Sequence, residues 1–523
     1  MKTKILIILS VLAGMIACES NEKFLEEHPY GRLFPHTFYS SEAELELAIN
    51  ALFIQQMRAF NRDYESLSPA LGAADDVTMA VSSWDVFQPV SGTDDTDLEL
   101  GWERCFLDIN YANGIIDNYR NAEGTMPEEK LNQYPAMAHF VRAFNYFWLV
   151  RFFNNMPKIT TTTLPDFNVT VSPKEEIYAL IVEDLQFAEQ WLPVEWTGKK
   201  RTGGAPTQGA AKAMLAKVYL QMAGFPVNGG AEYYAKARDK AKEVMDNAAT
   251  YHYILREHCI DLWDPYWILQ AEDEVIYFCK GLPASENYTV RSPLACRPRE
   301  NLGEGSGWEM YLAENYFYEH FPEGERKKAT FVDTIYFKPR EDGTQEVRHY
   351  TEMAAKHPFY KKEWADDRVS DWSWDRMWER ADWNNGRSFI ALRYAEVLLI
   401  YAEAQARADG SPNALAYDCL NRIRNRAKAG VGSTGAEVAG LSTEAFLDSV
   451  VWERAWEFAG SESYTSRWFD LQRLELVEKA ATEWRREPDA PIAQTPTKKH
   501  YFLQIPSAEV VKNPALNNNN PEY

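Results

Sequence analysis

The amino-acid sequence predicts an all-α fold, a scaffold of helical pairs with a central irregular region of loops and short strands. Three observations predict it. Apolar residues recur three and four apart over long stretches in both halves of the chain, which is the period of a helix face. Those stretches come as neighbours joined by short Gly- and Pro-containing turns. Between about residues 251 and 386 the period fades into mixed aromatic, Gly and Pro content, with short strands such as Glu274 to Cys279.

The elements follow in order. Ser41 with Glu44 offers a capping box before a helix running to about Phe60. Met137, Phe140, Val141, Phe144, Phe147, Trp148 and Phe152 share one helix face. Ile181, Leu185, Ala188 and Leu192 share another, behind Ser172-Pro173-Lys174-Glu175, an N-cap serine with proline at the first helical position. A helix over Gln208 to Ala223 is followed, across Gly224-Phe225-Pro226 and Gly229-Gly230, by one from Glu232 to Asn247. Arg393 to Ala408 is likewise followed, across Asp409-Gly410-Ser411-Pro412, by Asn413 to Lys428. Helix–turn–helix units of this size, alanine-rich where the helices touch, resemble tetratricopeptide repeats, so the scaffold is TPR-like.

At the N-terminus, Lys2 and Lys4 precede an apolar run from Ile5 to Ala17, too short to span a bilayer as a helix. A basic start and a short apolar core make a secretory leader over residues 1–17. It ends in Met15-Ile16-Ala17-Cys18, which resembles a lipobox with Cys18 as the acylated residue, so the chain is expected to be anchored to a membrane and not to span one. The mature part, 18–523, reads as one domain: an N-terminal part over about 22–250, an irregular insertion over about 251–386 and a C-terminal part over about 387–523. The formal charge of −22 repels phosphate backbones, so nucleic acid is excluded as a partner. Cys105, Cys259, Cys279, Cys296 and Cys419 show no CxxC spacing, which leaves them as small buried hydrophobes and not as zinc or redox groups.

No HExxH, GxSxG, phosphate-loop or dinucleotide fingerprint occurs, and the 9 histidines lack metal-ligand spacing, so no catalytic residue, metal site or cofactor is expected. Asp94-Asp95-Thr96-Asp97 with Glu99 clusters the oxygens that calcium takes. It lacks the EF-hand glycine and spacing, which favours a solvated acidic loop over a structural calcium site.

Tryptophan stands out. Of 17, Trp364, Trp372, Trp374, Trp378 and Trp383 fall within one polar segment, beside Asp366, Asp367, Arg368 and Asp371. Trp84 sits in a polar loop and Trp308 follows the glycine-rich Gly303 to Gly307. Indole rings in polar, turn-rich sequence have no helix face to bury against, and they stack on the flat C–H faces of sugars. Trp84, Trp308, Trp372, Trp374 and Trp378 are therefore the candidate ligand-binding residues, against the alternative that they cap the core from loops. Trp148, Trp191, Trp452 and Trp456 lie in amphipathic helices and are expected in the core.

Several ordered motifs resemble the SusD/RagB family of outer-membrane nutrient-binding lipoproteins. They are Phe24-Leu25-Glu26-Glu27-His28-Pro29-Tyr30, Thr207 to Ala211 leading into Leu215-Ala216-Lys217-Val218-Tyr219-Leu220, and Leu392 to Ala404 followed by Leu420 to Ala427. Glu453-Arg454, Glu457, Arg467 to Arg473 and the closing Asn520-Pro521-Glu522-Tyr523 continue the series. The link between Glu457 and Arg467 is longer than the family's, and Glu522 stands where its final glycine is usual. The resemblance implies a ligand site built from irregular segments, no catalysis, and delivery of a captured glycan to a SusC-type TonB-dependent transporter. The acidic Glu19 to Glu27 stretch implies exposure on the cell surface. A peptide-capturing relative and, behind it, an anchored glycoside hydrolase are the alternatives. Arg393, Glu396, Glu453, Arg467 and Asp470 are expected as buried charge partners, since buried charge persists only when paired.

Overall fold

The computed structural model describes residues 38–60, 72–79, 85, 87, 93–163, 168–198, 204–262, 273–279, 297–302, 307–361, 389–427, 437–460, 467–485 and 495–517. Six long helices make the first half: α1 (Glu42–Phe60), α2 (Thr93–Asn118), α3 (Glu128–Phe153), α4 (Lys174–Trp191), α5 (Gln208–Ala223) and α6 (Gly230–Asp246). Each packs on its neighbour in sequence, and α6 also packs on a helix from the C-terminal part. Every predicted helix of this half is present, and α5 has the predicted bounds. Thr207 caps α5 through its side chain, which accepts from Ala210 N at 3.2 Å.

The caps differ in detail from expectation. Glu44 reaches back to Ser40 N at 2.8 Å, one residue before the predicted Ser41. The box at Ser172 does not form: α4 begins at Lys174 with Pro173 as its cap and no side-chain cap bond. The acidic run from Asp94 to Asp97 is a larger correction, since it forms the first turns of α2 and not a loop. Carboxylates favour a helix N-terminus because the unpaired N–H groups there carry partial positive charge.

The central region holds short strands and two short helices: β1 (Val77–Thr78), β2 (Val275–Cys279), β3 (Leu312–Ala313), α7 (Asn315–His320), α8 (Glu325–Thr330), β4 (Phe331–Val332), β5 (Thr334–Tyr336), β6 (Val347–His349) and β7 (Phe359–Tyr360). β8 (Phe389–Arg393) then leads into α9 (Tyr394–Ala408), α10 (Ala414–Arg426), α11 (Thr443–Glu457) and α12 (Arg467–Arg473). Arg393, expected at a helix start, instead closes β8, which pairs antiparallel with β2. β1, β3, β7 and β4 form a four-stranded sheet in that order.

Two cores result. The larger runs through the helical pairs. The smaller lies on the four-stranded sheet under α7, α8 and the alanines Ala455 and Ala459, and is built of Tyr311, Leu312, Phe317, Phe331 and Phe359 among others. Cys105, Cys259, Cys279 and Cys419 are buried free thiols, as expected of small hydrophobes. Among the described residues no helix is long and apolar enough to cross a membrane.

The five predicted charge partners are all buried. Glu457 accepts from Arg393 at 2.9 Å, from Arg326 at 3.0 Å and from Arg426. Glu274 takes Arg393 at 2.7 Å and Arg426 at 2.8 Å, and Glu453 takes Arg326 at 2.6 Å. A second group joins Arg454 to Asp470 at 2.8 Å and Arg473 to Glu403 at 2.7 Å, where burial is outweighed by Arg473 and Arg407 and the Glu403 carboxyl is held far below its usual range.

Candidate functional site

The four-stranded sheet positions Trp308, the one candidate tryptophan among the described residues. In the antiparallel pairings Thr78 faces Leu312 and Leu312 faces Phe359. β1 therefore runs out, β3 runs in and β7 runs out at the same end of the sheet. Trp84 is six residues beyond Thr78, Trp308 is four before Leu312, and the segment with Trp372, Trp374 and Trp378 follows Tyr360. Of these, the structure places Trp308 at this end of the sheet. Trp84, Trp372, Trp374, Trp378 and Cys18 themselves lie outside the described residues.

Trp308 is described, and its backbone is locked. Gly307 N donates to the Pro298 carbonyl at 2.6 Å and Glu309 N to the Arg297 carbonyl at 3.0 Å. Arg299 Nη2 donates to the Trp308 carbonyl at 3.3 Å. A Cβ on Gly307 would meet Arg297 Cβ and its carbonyl oxygen at 2.4 Å, so the two strands of chain approach this closely only because residue 307 is glycine. Glu309 sits at φ +55°, a conformation that non-glycine residues hold only when their surroundings enforce it. Burial raises its carboxyl above the usual carboxylate range, against the pull of Arg299. The Trp308 ring is half-buried, one side on the smaller core. A fixed backbone holds the indole in one place, which suits a stacking residue.

The segment with Trp84 is gripped on its far side. Asp85 accepts from Thr78 Oγ1 at 3.1 Å and from Arg485 Nη2 at 2.8 Å, and its carbonyl accepts from Arg485 Nη1 at 2.8 Å. Just before β1, Asp75 takes Arg467 at 2.8 Å and Asp76 accepts from Gly460 N at 3.0 Å. Burial, with Asp75 beside it, lifts the Asp76 carboxyl to about 6.

Trp452 and Trp456, expected in the core, are half-buried at its rim. They stack at 5.8 Å and 27°, and Trp484 meets Trp452 edge-on at 5.0 Å. The Arg467 guanidinium lies over Trp452 at 4.7 Å and over Trp484 at 5.1 Å. With ring faces occupied in this way, the cluster is a prop beneath the Asp75–Asp85 stretch and not a stacking surface. Trp484 carried no signal in the sequence beyond its place next to Arg485. Glu99, read in the sequence with the Asp94 to Asp97 run, lies with Glu103 and Glu509 around the Lys512 ammonium, at 3.5, 3.5 and 2.7 Å.

Comparison with known proteins adds the context. A family model described as "SusD family" matches residues 375–523, and one described as "Starch-binding associating with outer membrane" matches 23–220. The chain thus matches SusD-type family models in both its N-terminal and its C-terminal part. Its similarity to SusD-like protein P2 of Formosa agariphila is 27% identity over the full length of both chains. In fold, the chain resembles a SusD superfamily protein of Parabacteroides distasonis with a TM-score of 0.73 at 22% identity, over 91% of this chain and 98% of that one. A laminarin-binding SusD-like protein matches with a TM-score of 0.67 at 22% identity, over 91% and 98%.

Proposed function

We propose that this chain captures a glycan at the outer membrane and hands it to a SusC-type TonB-dependent transporter, held at the surface by lipid on Cys18. The observation that supports this reading is Trp308, half-buried on the smaller core with its backbone fixed, before β3 at the end of the sheet where β1 and β7 run out. Stacked indoles with Asp and Arg beside them suit sugar rings, and the buried ion pairs that dominate the scaffold have structural partners already. The laminarin-binding relative and the starch-binding description of the family model support a glycan over a peptide.

Affinity electrophoresis of the purified protein through gels containing laminarin or starch, beside a peptide panel, tests the reading. Retardation by a glycan without release of new reducing ends is the expected result. Retention only by peptides, or release of reducing ends, overturns it.

A further inference from the structure

A half-open cavity of about 80 Å³ lies against the larger core, whereas Trp308 packs on the smaller one. One water needs roughly 10–15 Å³, so the cavity has room for about six, the size of one six-membered ring. Three pieces of chain build it: the link between α4 and α5, the turn after α6, and β2, which is buried along its length and backs the cavity. Trp196, Tyr251, Tyr253, Tyr277 and Phe278 supply aromatic walls. Those walls are set before any ligand arrives. Trp196 Nε1 donates to the Pro206 carbonyl at 2.7 Å, and the Tyr251 hydroxyl donates to Gln208 Oε1 at 3.2 Å. The Tyr251 and Tyr253 rings lie 5.5 Å apart, tilted by 36°. Rings already fixed cost a ligand little in ordering.

Glu195 and His252 also line the cavity, 45% and 66% exposed and 3.7 Å apart. His252 holds φ +58°, a conformation that a non-glycine residue keeps only when its surroundings enforce it. We propose that this cavity is a second carbohydrate site, which takes the single sugar at the end of a glycan chain, a choice of ligand that rests on the glycan reading above. A sugar ring has apolar C–H faces and a rim of hydroxyls that both donate and accept. The aromatic walls match its faces. The Glu195 carboxylate accepts from hydroxyls, and the His252 imidazole beside it can donate or accept. Aromatic walls with a carboxylate also suit an organic cation, but an imidazole next to the acid competes for that role. A cavity of one-ring size, backed by a buried strand, admits a chain end and not the middle of a chain.

Saturation-transfer NMR with the methyl glycosides of glucose, galactose and mannose, both anomers of each, tests this on the full chain. Val194→Trp puts an indole into the cavity from a lining position that is 39% exposed, and Glu195→Ala removes the acceptor. Val347→Trp, at a similarly exposed position on β6, and Trp308→Ala are the controls. At least one glycoside should bind the wild type and both controls equally, give no signal with Val194→Trp, and bind Glu195→Ala at least ten-fold more weakly. Glu195→Ala decides the matter if urea midpoints show that Val194→Trp is misfolded. Signal that survives both cavity variants and vanishes with Trp308→Ala would overturn the second site. Tetramethylammonium bound in the cavity in place of every glycoside would overturn the choice of ligand. If no glycoside binds while laminarin or starch still retards the wild type, the cavity inference fails and the glycan reading stands. If a glycoside binds through the cavity and neither polymer retards the protein, the sugar site stands and the reading at the sheet end fails.

Discussion

Glu457→Gln should destabilise the protein as strongly as a large core truncation, although it removes one charge and almost no volume. Three buried guanidiniums, Arg326, Arg393 and Arg426, face three buried carboxylates, Glu274, Glu453 and Glu457. A fourth guanidinium, Arg424, reaches Glu453 from the edge at 3.2 Å, and none of the six buried side chains is more than 3% exposed. Glutamine keeps the shape but leaves one positive charge uncompensated in the interior, and breaking a buried pair from one side costs about 3–5 kcal/mol. Glu346→Gln supplies the contrast. Its partners Arg340 and Arg348 are 65% and 33% exposed, and such surface pairs are each worth under about 1 kcal/mol. Urea denaturation of the two variants beside wild type measures the difference. Arg326→Met added to Glu457→Gln should recover part of the loss, because the pair is coupled. If Glu457→Gln unfolds within about 1 kcal/mol of wild type, as Glu346→Gln should, the ion group is not the structural element described here.

Two further outcomes are expected. Asp76 holds its proton more tightly in the folded state, so its contribution to stability is whole below the unfolded value near 4 and is lost as pH rises to about 6. Asp76→Asn, which does not titrate and still accepts from Gly460, should gain roughly 3 kcal/mol on wild type across that window and then hold level; urea midpoints whose difference stays flat from pH 4 to 8 would contradict this. Trp148→Ala empties a fully buried site between Phe152 and Phe469 and should cost about 3–5 kcal/mol without changing glycan retardation, a split that denaturation and affinity gels read separately.

Much of the helical scaffold was legible because long amphipathic stretches announce themselves: α5 has its predicted bounds and α6, α9 and α10 differ by a residue or two at their ends, whereas α2 was not foreseen and α3 starts nine residues before the predicted Met137. The four-stranded sheet was not, since strands of two residues carry no period and their pairing joins positions more than two hundred apart in sequence. α11 misled for a different reason. Its inward face carries Glu453, Arg454 and Glu457, buried by pairing with groups on other elements, while Trp452 and Trp456 sit at the rim, the reverse of the polarity that a hydrophobic pattern assumes. The motif residues that mark the family could be recognised as charge partners from their types, but which acid meets which base depends on contacts between distant elements. Trp308 was legible as a site candidate from its polar surroundings, whereas the glycine lock behind it and the partial burial of its ring required the structure.

The most direct test of the central claim is the affinity of Trp308→Ala for laminarin or starch, whichever retards the wild type, measured by calorimetry beside its urea midpoint. Loss of a stacking surface should lower affinity ten- to a hundred-fold, on the order of 1–3 kcal/mol, while the half-buried ring costs stability of only about 1–2 kcal/mol. Unchanged affinity together with a stability loss typical of a core tryptophan would show that Trp308 caps the smaller core and that the end of the sheet where it lies is not the glycan site.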